Sequence, residues 1–421
     1  MKVGFLFNHY LSYQVQHGAP YAFQLSRLRP DYHVEILCST DEVVEEAEKI
    51  GSLYPGNNCF IRNLGSSLVT KIISKGICKV MIAARSLSRG VSYAVSSDSD
   101  YAAKVSAARD FFQFKGKRSN APNYRYYRRA MLLANLHRLL SFDALVAPEK
   151  LFLILKSDPG FRDVKFIGVR HGAGDRPMPA LNKGEARFDG LLVPGRAYFD
   201  RYKDQIPDGC CEIVGYPKFE IIERTRPEVP RLFPNDLPTV LYAPHFDPEQ
   251  SSWIGAGRDV LAFFAERGDY NLIFAPHIRL FQRLEYSGGI SLNGFRDRPN
   301  ILIDTGSESS IDMTYTRAAD IYLGDVSSQV YEFVFHRRRP CVFLDLHGFG
   351  ASEMPFWRFG PVIDNVADLA GALIQAEQNF LEAYKGQQDH LVEVAFSTSD
   401  TPPSRRGAEA IVRILESYQR S

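Results

Sequence analysis

The segment YLGDVSSQVYEF, Tyr322–Phe333, places an acid and two adjacent serines between a short apolar run and a helix-like pattern. The strand IYLG precedes Asp325, and the helix SQVYEFVFHRR follows, with Ser327 or Ser328 suited to cap its first turn. A helix N-terminus offers unpaired N–H groups and the positive end of a dipole, and the two hydroxyls add donors. The segment therefore predicts a strand–loop–helix unit suited to a phosphate group; the structural alternative is an ordinary capped helix.

Glu332 lies four residues after Ser328, one turn into the predicted helix. A carboxylate at that position can accept hydrogen bonds from ribose hydroxyls, or it can simply face solvent. We take Ser327, Ser328 and Glu332 together as candidate residues for binding a nucleotide.

Similar short apolar runs recur along the whole chain and are usually separated by helix-length segments. The runs are VGFLFN, HVEILCS, ALVAPE, KFIGVRHG, GLLVPG, CEIVGYP, TVLYAPH, NLIFAPH, NILID, ADIYLGD and PCVFLD. This alternation predicts an α/β protein with parallel sheets covered by helices on both faces. The 421 residues exceed the ~250–300 at which one hydrophobic core stops growing, so we expect two Rossmann-like domains with their sheets facing an interdomain cleft.

A proline-rich segment, Glu223–Pro238, has little apolar periodicity and is the predicted linker. It divides the chain into an N-terminal domain, residues 1–225, and a C-terminal domain, residues 239–400. Residues 401–421 contain a last helix, Arg406–Tyr418, which we expect to pack back on the N-terminal domain.

Composition limits the possible partners. The 50 Lys plus Arg residues balance 49 Asp plus Glu residues, so global charge predicts no polyanionic partner, and no nucleic-acid-binding signature accompanies the basic residues. The six cysteines show no CxxC spacing and no cluster with histidine, which predicts reduced thiols in a cytoplasmic protein and leaves metal dependence open. No apolar run approaches the ~18 residues of a membrane span, so we expect any membrane contact to be peripheral, on the inner face of the cell membrane.

One segment departs from this balance. Residues 111–140 contain no aspartate or glutamate, and seven lysines and arginines are interspersed there with aromatic residues. This local positive patch predicts contact with anionic lipid head groups or a polyanionic acceptor, and the alternative is a solvated helix face with a loop.

Three other predicted strand ends carry histidines. His171 and Gly172 follow KFIGV, His245 follows TVLYAP, and His277 follows NLIFAP with Arg279 two residues later. Carboxyl ends of parallel strands are where α/β sheets bind ligands, so we expect these side chains to point into one cleft. Histidine suits proton abstraction at neutral pH, and histidine or arginine suits stabilising charge on a phosphoryl group.

No GxxxxGK[ST], GxGxxG, GxSxG or HExxH motif is present, which removes the usual support for P-loop, hydride-transfer and serine-esterase chemistry.

Taken in order, the motifs resemble those of the CDP-glycerol glycerophosphotransferases, the teichoic-acid polymerase-like branch of the GT-B fold. The resemblance begins at the His171–Gly172 pair, continues through FDGLLVPGRAYFDRY and EIVGYPKFE, and resumes with YAPHF, APH and ADIYLGDVSSQVYEF. It covers roughly residues 165 to 345. His245 stands where members of that family usually carry threonine.

The resemblance implies transfer of a glycerol-phosphate unit from CDP-glycerol to an acceptor hydroxyl, with release of CMP, in cell-surface or capsular polymer synthesis. It implies His171 and His277 as catalytic residues, with His171 as the base. The residues implied to bind the donor are Gly172, His245, Arg279, Asp325, Ser327, Ser328 and Glu332. The donor would be a nucleotide-activated polyol or sugar, the acceptor a membrane-linked or polymeric glycan, and no cofactor is required by the sequence.

Two other hypotheses stay open. The same fold suits a nucleotide-sugar-dependent GT-B glycosyltransferase or a UDP-sugar 2-epimerase-like enzyme, because it places a diphosphate at a similar helix start. A catalytically inactive protein that retains the donor pocket would bind a nucleotide without turning it over.

Overall fold

A computed structural model describes residues 1–9, 12–93, 124–170, 185–282, 284–350 and 354–420. In this part of the chain two all-parallel sheets form the frame, one of seven strands and one of six. The first sheet has the strand order β3-β2-β1-β4-β5-β6-β7, and the second has the order β10-β9-β8-β11-β12-β13. The predicted α/β architecture with two parallel sheets is confirmed.

The first sheet and its helices come from the N-terminal half of the sequence. Its strands are β1 Lys2–Phe7, β2 His33–Cys38, β3 Phe60–Asn63, β4 Ala144–Ala147, β5 Lys165–Val169, β6 Gly190–Val193 and β7 Cys211–Ile213. Its helices are α1 Ala19–Leu28, α2 Asp41–Gly51, α3 Leu68–Tyr93, α4 Tyr124–Ala134, α5 Leu136–Leu139, α6 Arg196–Tyr202 and α7 Pro217–Thr225. Because α7 continues through Thr225, the irregular part of the predicted linker begins at Arg226.

The second sheet and its helices follow. Its strands are β8 Thr239–Ala243, β9 Asn271–Phe274, β10 Ile301–Ile303, β11 Ile321–Gly324, β12 Cys341–Leu344 and β13 Val362–Ile363. The helices are α8 Trp253–Ala265, α9 Leu284–Ser287, α10 Thr314–Ala318, α11 Gln329–His336, α12 Leu369–Gln378, α13 Lys385–Ala395 and α14 Pro403–Arg420. The central strands β8 and β11 are buried along their entire length, as expected for strands covered on both faces.

Helix α14 returns from the second sheet to the first. Its apolar residues, among them Ile411 and Ile414, belong to the hydrophobic core of the first sheet. It lies so close to α1 that a Cβ at Gly407 would come within 2.3 Å of the Tyr21 ring, so only glycine fits there. At its first turn, Ser404 donates from its backbone N–H (2.9 Å) and its hydroxyl (2.8 Å) to the Glu220 carboxylate. A carboxylate at a helix N-terminus stabilises that end of the helix dipole.

The strand order locates the places where ligands are expected to bind. In each sheet the order reverses beside the first strand, between β1 and β4 in the first sheet and between β8 and β11 in the second. Loops leaving neighbouring strands in opposite directions open a crevice at such a point, on the carboxyl side of the sheet. In the second sheet this crevice lies between the loop after Ala243 and the loop after Gly324.

Candidate functional site

The second sheet brings most of the candidate residues together at its point of order reversal. Strands β9, β8 and β11 are neighbours, and their carboxyl ends lead directly to His277, His245 and Asp325 respectively. The loops after β8 and β9 also bond to each other, since the backbone N–H of His277 donates to the Pro244 carbonyl at 3.0 Å. Three runs that are distant in sequence therefore form one side of a single crevice.

The carboxylate of Asp325 accepts the hydrogen bonds that hold the loop of this crevice after β8. Its Oδ2 accepts bonds from the His245 N–H (3.1 Å), the Ser252 N–H (2.7 Å) and the Ser252 hydroxyl (3.0 Å), and Oδ1 accepts a second contact from the His245 N–H at 3.0 Å. Trp357 donates from its indole nitrogen to the Asp325 carbonyl at 2.9 Å. The carboxylate thus ties the loop after β8 to the start of α8, and it faces the protein rather than solvent.

Burial dominates the electrostatics of this carboxyl group. Asp325 is 1% exposed, and this desolvation raises its pKa to about 6, although the bonds from Ser252 and His245 favour the ionised form. A buried acid whose oxygens accept bonds from two backbone N–H groups and one hydroxyl is suited to holding loops in place.

The rings of His245 and His277 pack edge to face, with their centroids 5.6 Å apart. The backbone N–H of Asp247 donates to Nδ1 of His245, and that of Arg279 donates to Nδ1 of His277, both at 3.2 Å. Because an acceptor nitrogen carries no proton, each neutral ring has its proton on Nε2. In each case a backbone N–H two residues later fixes the orientation of the ring.

Arg279 completes the group. Its guanidinium lies over the Phe246 ring, 5.3 Å from the centroid, and Phe246 in turn packs against His277 at 4.6 Å. The Nε of Arg279 is buried and has no hydrogen-bond partner among the described residues. A buried donor on a cation is costly to leave unpaired, and an anionic ligand oxygen would satisfy it.

The start of α11 borders the same crevice. Ser327 is buried, and its hydroxyl accepts a long bond from the Gln329 N–H at 3.4 Å, whereas Ser328 occupies the N-cap position without a side-chain cap bond. Of the two serines predicted as caps, Ser327 therefore makes the bond, which leaves the Ser328 hydroxyl without a capping function.

Glu332 is engaged by a residue from the other half of the chain. Lys218 of α7 donates to its Oε1 at 2.6 Å, and both side chains are largely buried. The predicted ribose contact is therefore compatible with the ion pair only if the ribose hydroxyl bonds to the second oxygen, Oε2, while Lys218 keeps Oε1. The pair also joins α7 to the second sheet's domain close to the crevice.

His171 and Gly172, the predicted base and its neighbour, lie outside the described residues. The predicted positive patch at 111–140 also falls partly outside them, since only residues 124–140 are described. Within that part, Arg128 faces inward and pairs with Glu149 at 3.5 Å. One of the seven predicted cations is therefore neutralised inside the protein instead of lying on a surface.

The first sheet has its own cluster at the point of order reversal, which the sequence analysis did not select. Gln14 donates to Glu149 at 2.7 Å, and Asn8 donates to the Arg128 carbonyl at 3.0 Å. Asn8 Oδ1 and Gln14 Oε1 are buried without a hydrogen-bond partner among the described residues. Position in the sequence could have indicated this cluster, because Asn8 directly follows β1 and Glu149 lies two residues after β4.

A second unselected cluster surrounds Glu185, which is fully buried and pairs with Lys150 and, at 3.6 Å, with Arg170. Arg170 also lies over the Tyr198 ring at 4.8 Å and immediately precedes the predicted base in sequence. Within the described residues no three His, Cys, Asp or Glu side chains are grouped so that they could hold a metal ion.

No protein-family model and no curated protein sequence matches the chain. Solved structures match it over almost its whole length at low identity. The S. aureus MnaA–UDP co-structure is 10% identical with a TM-score of 0.52, covering 100% of this chain and 97% of the other. A UDP-N-acetylglucosamine 2-epimerase is 12% identical with a TM-score of 0.52, covering 99% and 95%. The glycotransferase of kitacinnamycin is 10% identical with a TM-score of 0.53, covering 98% and 99%.

These similarities, together with the two parallel sheets, define the class of protein: the chain has the GT-B fold, as predicted. At this level of identity they establish the fold alone. Among the described helices, none is both long enough and apolar enough to cross a membrane.

Proposed function

We propose that the protein is a GT-B enzyme acting on a nucleoside-diphosphate sugar, either as a glycosyltransferase or as a UDP-sugar 2-epimerase-like enzyme. The observation that carries the proposal is the buried Nε of Arg279, which has no hydrogen-bond partner among the described residues and lies in the same crevice as the imidazoles of His245 and His277. These three residues follow neighbouring strands at the strand-order reversal of the second sheet, as does the start of α11. Such a group suits a diphosphate, because every member offers a donor and one is a permanent cation.

The chemistry follows from where charge develops. When the bond between the sugar C1 and the diphosphate oxygen breaks, negative charge accumulates on the leaving diphosphate. Arg279 and the Nε2–H of His277 stabilise that charge in both transfer and epimerisation, while the N–H groups that open α11 hold the phosphates. His171 is proposed to move the proton, as a base toward an acceptor hydroxyl or toward the sugar itself.

The other selected residues take supporting functions in this proposal. Asp325 acts as a positioning residue, because its bonds hold the loop that carries His245. Gly172 lets the backbone approach the ligand closely, and Glu332 receives a ribose hydroxyl at Oε2 while Lys218 keeps Oε1.

A second candidate is transfer of glycerol phosphate from CDP-glycerol to a cell-surface or capsular polymer. The order of the motifs from the His171–Gly172 pair to DVSSQ favours it. In that reaction the acceptor oxygen attacks the β-phosphorus and the bond to CMP breaks, so charge develops on the α-phosphate instead. The same cation and helix N-terminus would stabilise it, which is why the geometry alone does not separate the two donors.

The test is a donor panel with purified full-length protein. UDP-GlcNAc, GDP-sugars, CDP-glycerol and CDP-ribitol are each incubated with and without lipid-linked glycan acceptors, and free UDP, GDP and CMP are quantified. Sugar epimers are followed in parallel by NMR. A 2-epimer formed without acceptor identifies an epimerase, acceptor-dependent UDP or GDP release identifies a glycosyltransferase, and CMP release identifies the second candidate.

Two substitutions connect the result to the site. We expect Arg279→Gln and His277→Asn to lower turnover at least tenfold, because each removes a donor from the leaving group. The matched controls are Arg267→Gln, whose guanidinium pairs with Asp269 at the surface, and the exposed His137→Asn, and both should keep full activity. Nucleotide binding without any turnover would replace the enzymatic proposal by that of an inactive binding protein.

A further inference from the structure

Over residues 68–82, the part of helix α3 (Leu68–Tyr93) whose side chains the structure describes, the apolar and polar faces are reversed relative to an ordinary surface helix. Its buried positions in the first three turns are small and mainly polar: Thr70, Ser74 and Cys78, four residues apart. A helix on a globular protein usually turns its apolar stripe toward the core and its polar face toward water. In α3 the opposite face, which points to solvent, is the apolar one.

The exposed fractions make the reversal quantitative. Leu68 is 71% exposed, Val69 64%, Ile72 62% and Val80 68%, and Ile73 adds 43%. At 100° per residue these five side chains fall within a 140° arc, so they form one continuous stripe. Single exposed apolar residues are common on protein surfaces, but a contiguous stripe marks an interaction surface.

Positive charge borders the stripe. Lys71, Lys75 and Lys79 are exposed and, spaced four apart, line one edge of it. The sequence contains no aspartate or glutamate from Lys49 to Ser97, so the helix itself carries no negative side chain. An apolar stripe with lysines along its edge is the pattern of a helix that lies in the boundary between lipid head groups and acyl chains.

We propose that α3 docks the protein on an anionic lipid bilayer, with the apolar stripe inserted at the interface and the lysines contacting acidic head groups. Charge selects this occupant over a second copy of the chain. In a symmetric dimer the same surface meets itself, so the three lysines of each copy would be brought together, whereas anionic lipid neutralises them. The helix lies on the bilayer rather than crossing it, because its hydropathy does not support a span. This proposal is independent of the donor and of the reaction.

The experiment is cosedimentation of the full-length protein with sucrose-loaded vesicles of phosphatidylglycerol and phosphatidylcholine, with pure phosphatidylcholine vesicles as the neutral surface. Each lysine near an acidic surface strengthens binding about fivefold, so the variant K71Q/K75Q/K79Q should bind about 100-fold more weakly. The variant V69S/I72S/V80S should lose at least tenfold, because it removes the inserted apolar groups. Serine has a helix propensity close to those of valine and isoleucine, so the helix itself is preserved.

Matched controls come from other surfaces of the same chain. Leu381 is 75% exposed, so Leu381→Ser removes an equally exposed apolar group elsewhere, and Lys203→Gln removes an exposed cation elsewhere. Both should bind vesicles as the parent protein does. The thermal midpoint of V69S/I72S/V80S and its mass by light scattering are measured alongside.

Several results would overturn the proposal. Equal binding to neutral and anionic vesicles would show that the lysines do not contact acidic head groups. Unchanged binding of V69S/I72S/V80S would show that the apolar stripe is not inserted. A lowered thermal midpoint in that variant would mean that the stripe is covered by the chain itself. A fall in mass from dimer to monomer would assign the stripe to a second copy.

Discussion

Replacing Asp325 by asparagine should remove a pH dependence of stability that its burial creates. The pKa of this carboxyl group is raised from 3.8 to about 6 by burial, so ionising it in the folded state costs up to about 3 kcal/mol more than in the unfolded chain. Since the folded pKa is the higher one, the stabilising contribution is complete below about pH 3.8 and is lost as the pH rises through 6. Between pH 5 and pH 7 the expected loss is about 1.4 kcal/mol.

Asparagine is a suitable probe because Oδ2 accepts from the His245 N–H and from both donors of Ser252, so an amide oxygen at that position keeps three bonds. The amide nitrogen at the Oδ1 position faces the same His245 N–H and loses its contact, which lowers stability by an amount that does not depend on pH, and the group no longer titrates. We therefore expect the stability of Asp325→Asn relative to the parent to increase by about 1.4 kcal/mol from pH 5 to pH 7. Taking the difference between the two proteins cancels the titration of groups that do not contact this site.

The assay is urea unfolding at half-unit steps from pH 5 to pH 8, followed by tryptophan fluorescence. The chain has two tryptophans, and both are buried near this acid: Trp357 donates to its carbonyl, and Trp253 follows Ser252. The signal therefore reports the domain of the second sheet.

Asp304→Asn is the matched control. Burial opposes ionisation of Asp304, but bonds from Ser307, Gly306 and Tyr315 outweigh it and lower its pKa to about 2. Because that folded pKa is depressed, its contribution is lost only as the pH falls toward 2, and Asp304→Asn should leave the dependence between pH 5 and pH 8 unchanged. A parent-minus-variant difference for Asp325→Asn that stays constant across this range would refute the reasoning.

Three further substitutions test the crevice and its supports. Arg279→Gln should weaken nucleotide binding by about tenfold to 100-fold in calorimetric titration, the equivalent of one charged hydrogen bond, and should leave the thermal midpoint unchanged; unchanged affinity would exclude the guanidinium from the donor site. Lys218→Ala should lower the free energy of unfolding by about 3 kcal/mol because it leaves the Glu332 carboxylate buried without its cation, whereas the double variant with Glu332→Gln should recover most of the loss; additive losses in the same urea assay would contradict the pairing. Arg339→Lys should lower the free energy of unfolding by about 3 kcal/mol, because one ammonium cannot replace a guanidinium that donates to several buried backbone carbonyls. A change below about 0.5 kcal/mol in the urea assay would contradict a structural function for this guanidinium.

Strand prediction found every interior strand of the two described sheets and two of their four edge strands, β7 and β10. Each of the eleven apolar runs identified in the sequence contains a strand, including Lys2–Phe7 and Ile321–Gly324. The strands that were missed are β3, Phe60–Asn63, and β13, Val362–Ile363, which lie at the edges of the two sheets. An edge strand has fewer covered positions, and β3 alternates between exposed and partly buried residues, so neither produces a continuous apolar run.

The sequence indicated where three candidate side chains lie, but not which residues they bond to. His245, His277 and Asp325 were selected because each follows a predicted strand, and parallel strands place those ends at one edge of the sheet. Nothing local indicates that Ser252 donates to Asp325 from 73 residues away, or that Lys218 pairs with Glu332 across 114 residues. These bonds depend on how helices pack on the sheets, and helix packing is set by surfaces that are distant in sequence.

The sequence by itself determined eleven of the thirteen described strands and the side chains that follow them, because apolar runs and the alternation of strand and helix are local properties. Once residues 68–93 are known to be helical, their spacing also puts Leu68, Ile72 and Val80 on one face of α3. Only the tertiary structure decided that this face points to solvent and that Asp325 points inward. Periodicity relates the residues of one element to each other, whereas the direction in which a face points depends on which other elements pack against it.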